Sequence, residues 1–353
     1  KDAGVALSSG SKNVAIGYEA LKTEDGDGNN VAVGYQALKS LNAGADGNNT
    51  AIGYATGNTI STGTANTLMG AFAGDALTTG SNNIAIGYEA LSTEDANGKN
   101  LAIGYQALKT LNAGADGFNT VIGYQAGTSI NTGTVNTLIG HQAGDALTTG
   151  NNNVAIGHEA LGSEVQGDQN TAIGVGALQN QANSSDADVI NTAVGFNAGL
   201  SITTGAENTV MGGEAGDALT VGNANVAIGV QALSGDINGS RSVAIGATAL
   251  KVTEADGSTS NNVYNVAVGY AAGLAVTSGY YNTILGGLAG NELTTGNGNI
   301  LVGYDAGNDL TSGSDNNVCI GRNSGDGLTA NADDNVMIGV NSTTHSSDSG
   351  RQI

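Results

Sequence analysis

The pentapeptide Asn-x-x-Ile-Gly fixes what this chain can become. It occurs nineteen times, from Asn13-Val14-Ala15-Ile16-Gly17 to Asn335-Val336-Met337-Ile338-Gly339, with Ile replaced in places by Val, Met or Leu. The closing glycines follow at intervals of 17, 19, 17 and 17 residues; the set recurs with its second interval drawn out to 21 and then 23, and ends on two intervals of 18. Four coils thus make a higher-order unit of 70, 70, 72 and 74 residues, its length varying at one link, over 39–47, 109–117, 179–189 and 251–264. Repeats of this size stack into a solenoid, each burying its apolar side against its neighbours. That overrides the two or three globular domains that 353 residues would otherwise suggest. Insertion at one point per turn leaves such a stack intact.

Each slot has its own chemistry. Asn fills the first position in eighteen copies and Ser242 takes it in the other. Stacked Asn side chains can hydrogen-bond along the stack and tolerate left-handed backbone. The closing Gly is present in all nineteen, which predicts a positive φ or an approach too close for a Cβ. Apolar residues between Asn and Gly predict a short β-strand. A second short strand is expected near Ala-Leu-Thr-Thr, as at 146–149. Helix is limited to single turns such as 18–22, because Gly interrupts every coil. The expected fold class is all-β, a parallel β-roll or β-solenoid of about nineteen coils of 17–23 residues. The array is expected over 11–342, with an incomplete coil at 1–10 and a polar exit segment at 343–353.

The strand also raises the question of partners. By the period of two, the Ile slot and the residue two before it share a face, read here as the coil interior. The residue between them points the other way and is never polar. Ala15, Ala32, Leu68, Ala85, Val121, Leu138, Val210 and Ile284 are examples, with the larger residues filling space every fourth layer. A strand apolar on both faces is buried on both, and a thin roll cannot cover its own outside. These eight residues are the expected oligomer interface, and closed cyclic symmetry is the usual outcome.

Composition narrows the function. Asp and Glu outnumber Lys and Arg by 31 to 10, a net charge of −21, which excludes a phosphate-binding basic surface and hence nucleic acid. No run reaches the length of a transmembrane helix. The single Cys319 excludes an intrachain disulfide framework and reads as a small buried apolar residue. The opening Lys1-Asp2-Ala3-Gly4 lies in repeat-like sequence and resembles neither an initiator nor a signal peptide, pointing to a segment of a longer or processed protein.

Candidate sites are few. Tyr follows the closing Gly at Tyr18, Tyr35, Tyr54, Tyr88, Tyr105 and Tyr124, as well as Tyr270 and Tyr304. Such a column either stacks on sugar rings or lies half-buried with its hydroxyls in water. His141 and His158 occupy the same slot one coil apart and either replace Tyr or bind a metal. Asp25 and Asp27, in Glu24-Asp25-Gly26-Asp27-Gly28-Asn29, resemble part of a calcium loop without its terminal bidentate Glu; a solvated turn is the alternative, and no other cofactor is indicated. No catalytic constellation is singled out, and the chain reads as a non-enzyme.

Asn-x-Val-Ala-Ile-Gly, followed by Ala and a Gly-rich turn, resembles the heads of trimeric autotransporter adhesins. The longer wording Asn119-Thr120-Val121-Ile122-Gly123-Tyr124-Gln125-Ala126-Gly127 is similar to repeats of phage tail fibres and large bacterial surface proteins. The resemblance implies a left-handed parallel β-roll and a homotrimer. It also implies an extracellular structural or adhesive module, the shaft or head of a surface or virion fibre, meeting its receptor through variable loops. The alternatives are a solenoid binding surface glycan through the Tyr column and a fibre-borne polysaccharide hydrolase. The paired Thr residues (Thr78-Thr79, Thr148-Thr149) recur too sparsely to match an ice lattice.

Overall fold

The computed structural model describes residues 1–343 apart from Ser9, Asp27, Ala45, Asn97, Asp186, Ala187 and 253–260. It is an all-β parallel solenoid, and no helix occurs among the described residues. The chain divides into two compact units, Lys1–Asn170 with Ala182–Asp188, and Thr171–Gln181 with Val189–Ile353. The first carries nine three-residue strands, from Val14–Ile16 to Val154–Ile156. The second carries ten, from Thr171–Ile173 to Val336–Ile338, and a two-residue parallel ladder pairing Gly239–Ser240 with Asn261–Asn262.

Within each unit successive strands pair in parallel and in register, like on like: Ala15 opposite Ala32, Val121 opposite Leu138, Ala193 opposite Val210. Apart from that two-residue ladder, the described residues form one strand per coil, not two. The expected second strand at Ala-Leu-Thr-Thr is a turn, although it still sends bonds to the next coil, such as Thr148 N to Val165 O at 2.8 Å. The reason is backbone handedness. In every coil the residue before the ladder Asn and the second residue after the closing Gly have positive φ, near 50–70°. The closing glycines themselves lie at φ 126–148°. Corners this frequent leave only the Asn-to-Gly segment straight enough for a ladder.

Both readings of the closing Gly hold. At Gly34 a Cβ would stand 2.1 Å from the carbonyl oxygen of Gly53 in the next coil, and at Gly123 it would stand 2.0 Å from that of Gly140. The Asn ladder also forms. The backbone N–H of Asn153 donates to Oδ1 of Asn136 at 2.9 Å, and Asn136 Nδ2 donates to Gly150 O at 2.8 Å, all buried. Ser242 breaks the ladder, for its buried hydroxyl has no partner among the described residues.

The strand orientation is the reverse of the sequence expectation. Ala32, Leu68, Ala85, Val121, Leu138, Val210 and Ile284 are fully buried inside their own coils, and Ala15 is half-buried only in the first coil. All eight lie on the inward side of the strand. The Ile slot and the residue two before it face outward. The interior is too narrow for the larger column, because each coil already buries the third residue after Gly (Ala20, Ala37, Ala126) and the seventh (Leu41, Ile60, Leu77). Size complementarity explains the fourth-layer Leu. Where the strand centre is Ala32, the fourth residue after Gly is Leu38. Where it is Leu138, the corresponding residues are Gly144 and, one coil before, Gly127, and a Cβ on either would come within 2.9 Å of Leu138. Leu138 fills the room those glycines vacate.

One column inside is unexpected. At the seventh position after Gly, aliphatic in most coils, every fourth coil as far as the thirteenth places Glu24, Glu94, Glu164 or Asp236, all fully buried. Glu164 Oε1 accepts from the backbone N–H of Val165, Gln166, Gly167 and Asn183 at 2.7–3.1 Å, and Oε2 accepts from Asn183 Nδ2 at 2.9 Å. A carboxylate with this many donors can be buried without a cation.

Candidate interaction surfaces

The outward face of the strands is the largest regular surface. In the first unit one column reads Val14, Val31, Thr50, Thr67, Ile84, Leu101, Thr120, Thr137 and Val154. The other reads Ile16, Val33, Ile52, Met69, Ile86, Ile103, Ile122, Ile139 and Ile156. All are half-buried or exposed, Ile84 at 39% and Met69 at 43%. The second unit repeats the arrangement, for example at Met211, Leu285 and Ile300. A parallel sheet face made of β-branched and long aliphatic residues, open in every coil, is the kind of patch that marks an interaction site. The never-polar column thus lies inside, and the outward face mixes aliphatic residues with Thr.

The Tyr column is real, and its geometry limits its use. Tyr18, Tyr35 and Tyr54 stack with centroids 5.2 and 4.9 Å apart and planes within 15°. Tyr88, Tyr105, Tyr124, His141 and His158 continue at 4.9–5.5 Å, planes within 12°. Phe72 bridges the two runs edge-on, 5.3 Å from Tyr54 and 6.1 Å from Tyr88. Within each parallel run the rings thus cover their neighbours' faces, and what reaches solvent there is mainly ring edge. A sugar needs a face to stack on, so the six tyrosines are poorly arranged as a glycan platform. Beside them runs a polar row: Gln36 Nε2 donates to Glu19 Oε2 at 2.8 Å, and Gln106 Nε2 to Glu89 Oε2 at 2.8 Å. Lys22 lies 2.6 Å from Glu19, and Lys109 2.6 Å from Glu89. Hydrogen bonds from Lys22, Gln36 and Lys39 hold the Glu19 carboxyl down at about 2.

Asp25 is exposed in its turn, where its backbone carbonyl accepts from Ser8 N and Oγ; Asp27 lies outside the described residues. Among the described residues no group of three His, Cys, Asp or Glu side chains could hold a metal ion. His141 and His158 stack as the sequence suggests, with Glu159 Oε1 at 3.9 Å from His158 Nε2.

Two open hollows carry carboxylates. One, of about 290 Å³, is lined by Phe72, Asp75, Glu89, Ser92 and Lys109. Partial burial pushes Asp75 up to about 6, while hydrogen bonds from Lys109 and Gln106 hold Glu89 down. The same residue types recur at Asp145 and Glu159, so the pair is a feature of the repeat and not a unique cleft. The other, of about 100 Å³, is lined by Asp305, Asn308, Asp309, Asn323 and Asp326; a hydrogen bond to Asp309, and then its charge, raise Asp326. Cys319 is buried inside its coil, its thiol pushed up to about 12, so it is not poised to react.

Sequence reasoning missed two features. The buried acids look like loop residues in the sequence, because each adjoins Asp, Gly or Ser. The corner tyrosines Tyr264, Tyr280 and Tyr281 lie outside the regular Tyr slot. Their signal is strongest at Tyr280, an aromatic residue where most other coils place a small or polar one. No helix among the described residues is long and apolar enough to cross a membrane. Comparison with protein-family models and with curated proteins finds no match.

Proposed function

We propose that this chain is a non-enzymatic structural module of an extracellular fibre, a homotrimer whose protomers meet through the outward sheet face. The observation that carries the reading is the outward sheet face described above, an aliphatic column beside a mixed aliphatic and Thr column, open along both units. A single chain leaves that face in water, and identical copies can cover it because the pattern is the same along its length. Closed rotational symmetry buries such a face in all copies equally, and the sequence resemblance to trimeric adhesin heads supports three copies. The fibre contacts a surface glycan or another cell-surface receptor through positions that depart from the repeat. The even spacing of like residues suits a shaft or head better than a catalyst, which needs one distinctive cleft.

Light scattering of the intact chain tests the assembly. The expected mass is about three times the 34.6 kDa of one chain. Ile103→Asp with Ile122→Asp places charge on the outward column and is expected to yield monomer. A wild-type monomer in solution would remove the foundation of the proposal. Incubation with polysaccharides, followed by assay of reducing ends, tests the non-enzymatic part, and release lost on Asp75→Asn would overturn it.

A further inference from the structure

The corner before each ladder Asn has left-handed backbone in all nineteen coils. Asn29, Asn48, Asn82 and Gly298 occupy it in the way residue chemistry favours. In the second unit Tyr264 sits there at φ 52° and Tyr281 at φ 61°, as bulky Phe118, Val135 and Ile190 do in other coils. Bulky side chains at positive φ are strained, and the hydrogen bonds between coils enforce that strain all along the array. Here the enforcement is visible. Tyr281 N donates to Val263 O at 2.9 Å, Tyr280 N to Asn297 Oδ1 at 3.0 Å, and Gly298 N to Tyr280 O at 3.0 Å. Tyr280 is the departure, for its column holds small or polar residues in most other coils, such as Ser81, Gly98 and Asn151.

The rings do not form another closed stack. Tyr280 and Tyr281 meet edge to face, centroids 4.9 Å apart and planes at 87°, and Tyr264 is tilted 33° to Tyr281 at 5.8 Å. The three are 43–58% exposed. The Arg241 guanidinium lies over Tyr264 at 5.8 Å and donates to Asn262 Oδ1. Perpendicular and tilted rings leave faces open that the parallel runs Tyr18–Tyr54 and Tyr88–Tyr124 cover. An open π-face is electronegative and attracts the weakly positive C–H face of a pyranose. Arg241 supplies fixed donors for ring hydroxyls or a carboxylate, in a chain where acids outnumber bases by 31 to 10.

We propose that Arg241, Tyr264, Tyr280 and Tyr281 form a saccharide-contact site, a pyranose ring stacking on Tyr280 or Tyr281 with Arg241 meeting its polar edge. A protein partner fits less well, because protein hot spots are anchors in desolvated pockets and these rings stand in water at a corner. The proposal rests on the reading of the chain as a receptor-contacting module and names the chemistry of the contact.

The test uses the intact chain on a printed array of plant, bacterial and animal oligosaccharides, with saturation-transfer NMR on the strongest binder. Tyr281→Asn installs the residue that this corner carries in other coils; it removes the ring, relieves the strain and keeps the fold. Binding is expected to fall at least tenfold in Tyr281→Asn and in Arg241→Ala, while the thermal midpoint of Tyr281→Asn stays level or rises. Tyr18→Ala, in the closed column, should leave binding unchanged. Undiminished binding in Tyr281→Asn, or no saccharide bound by the wild type, overturns the site. Mass measured on the same samples separates the two ideas: a trimer without saccharide binding refutes the site alone, and a monomer that binds refutes the assembly alone.

Discussion

Leu138 and Ile139 are adjacent in sequence and lie on opposite sides of one strand. Leu138 is fully buried in its coil, whereas Ile139 is half-buried on the outward face. Leu138→Ala removes the side chain that occupies the room beside Gly127 and Gly144. The void cannot close, because both glycines are held by 3.0 Å hydrogen bonds, to Ala143 O and Ala160 O, and have no side chain to advance. Lost transfer energy is about 2 kcal/mol, and a void of roughly 80 Å³ at about 24 cal/mol per Å³ adds about 2 more, for about 4 kcal/mol in all. Denaturant unfolding followed by circular dichroism, with mass by light scattering, reads both consequences. The expected outcome for Leu138→Ala is a stability loss near that figure with unchanged mass. Ile139→Asp should instead lower the mass. Dissociation by Leu138→Ala without loss of protomer stability would show that the strand faces have been assigned backwards.

Two further outcomes follow from polar groups in the interior. Asn136→Ala leaves the buried Asn153 N–H and Gly150 C=O without partners and should cost about 2–5 kcal/mol, whereas Ser242→Ala, whose hydroxyl bonds nothing described, should lie within about 0.5 kcal/mol of wild type; hydrogen exchange at Asn153 and chemical denaturation compare them. Burial raises Asp236 to about 6, above its unfolded value near 3.9, so the folded state holds the extra proton between those values and stability should fall as pH rises from about 4 through about 6, by about 3 kcal/mol. Asp236→Asn keeps an acceptor for Gly239 N and should flatten that part of the profile, as followed by thermal melts from pH 4 to 8.

Much of the fold was legible because each slot answers to one constraint. Asn and Gly recur where the backbone turns left-handed or approaches the next coil too closely for a Cβ, and short apolar runs between them can only be strands. The face assignment failed because Ala15 and Ile16 are both apolar. Alternation tells that two faces differ but not which is inside, and the deciding fact is volume: Ala20, Leu41 and their counterparts already crowd the interior. The Leu-for-Gly exchange between Leu138 and Gly144 was readable in principle as a compensating pair. The second strand was overcalled at Ala-Leu-Thr-Thr because propensity does not register the corners that bracket it. Tyr281 escaped notice because its meaning depends on φ and on ring angles, neither of which a residue type carries.

The buried acids have a consequence for how identical-looking turns find their proper neighbours. A chain of near copies risks skipping one, or exchanging one with a sister chain. Glu164 accepts from Asn183, which belongs to the insertion of the following turn and of no other in its unit. A skipped turn would take both Asn183 donors away from that carboxylate and leave it only the N–H groups of its own turn, and would crowd a Leu68 or Leu138 against a neighbour that has Leu where Gly57 or Gly127 makes room. Only a jump of four turns restores the match, and beyond the first two sets of 70 residues the lengthening to 72 and 74 opposes even that. The acids and glycines act as address marks, narrowing the ways in which a monotonous sequence can count.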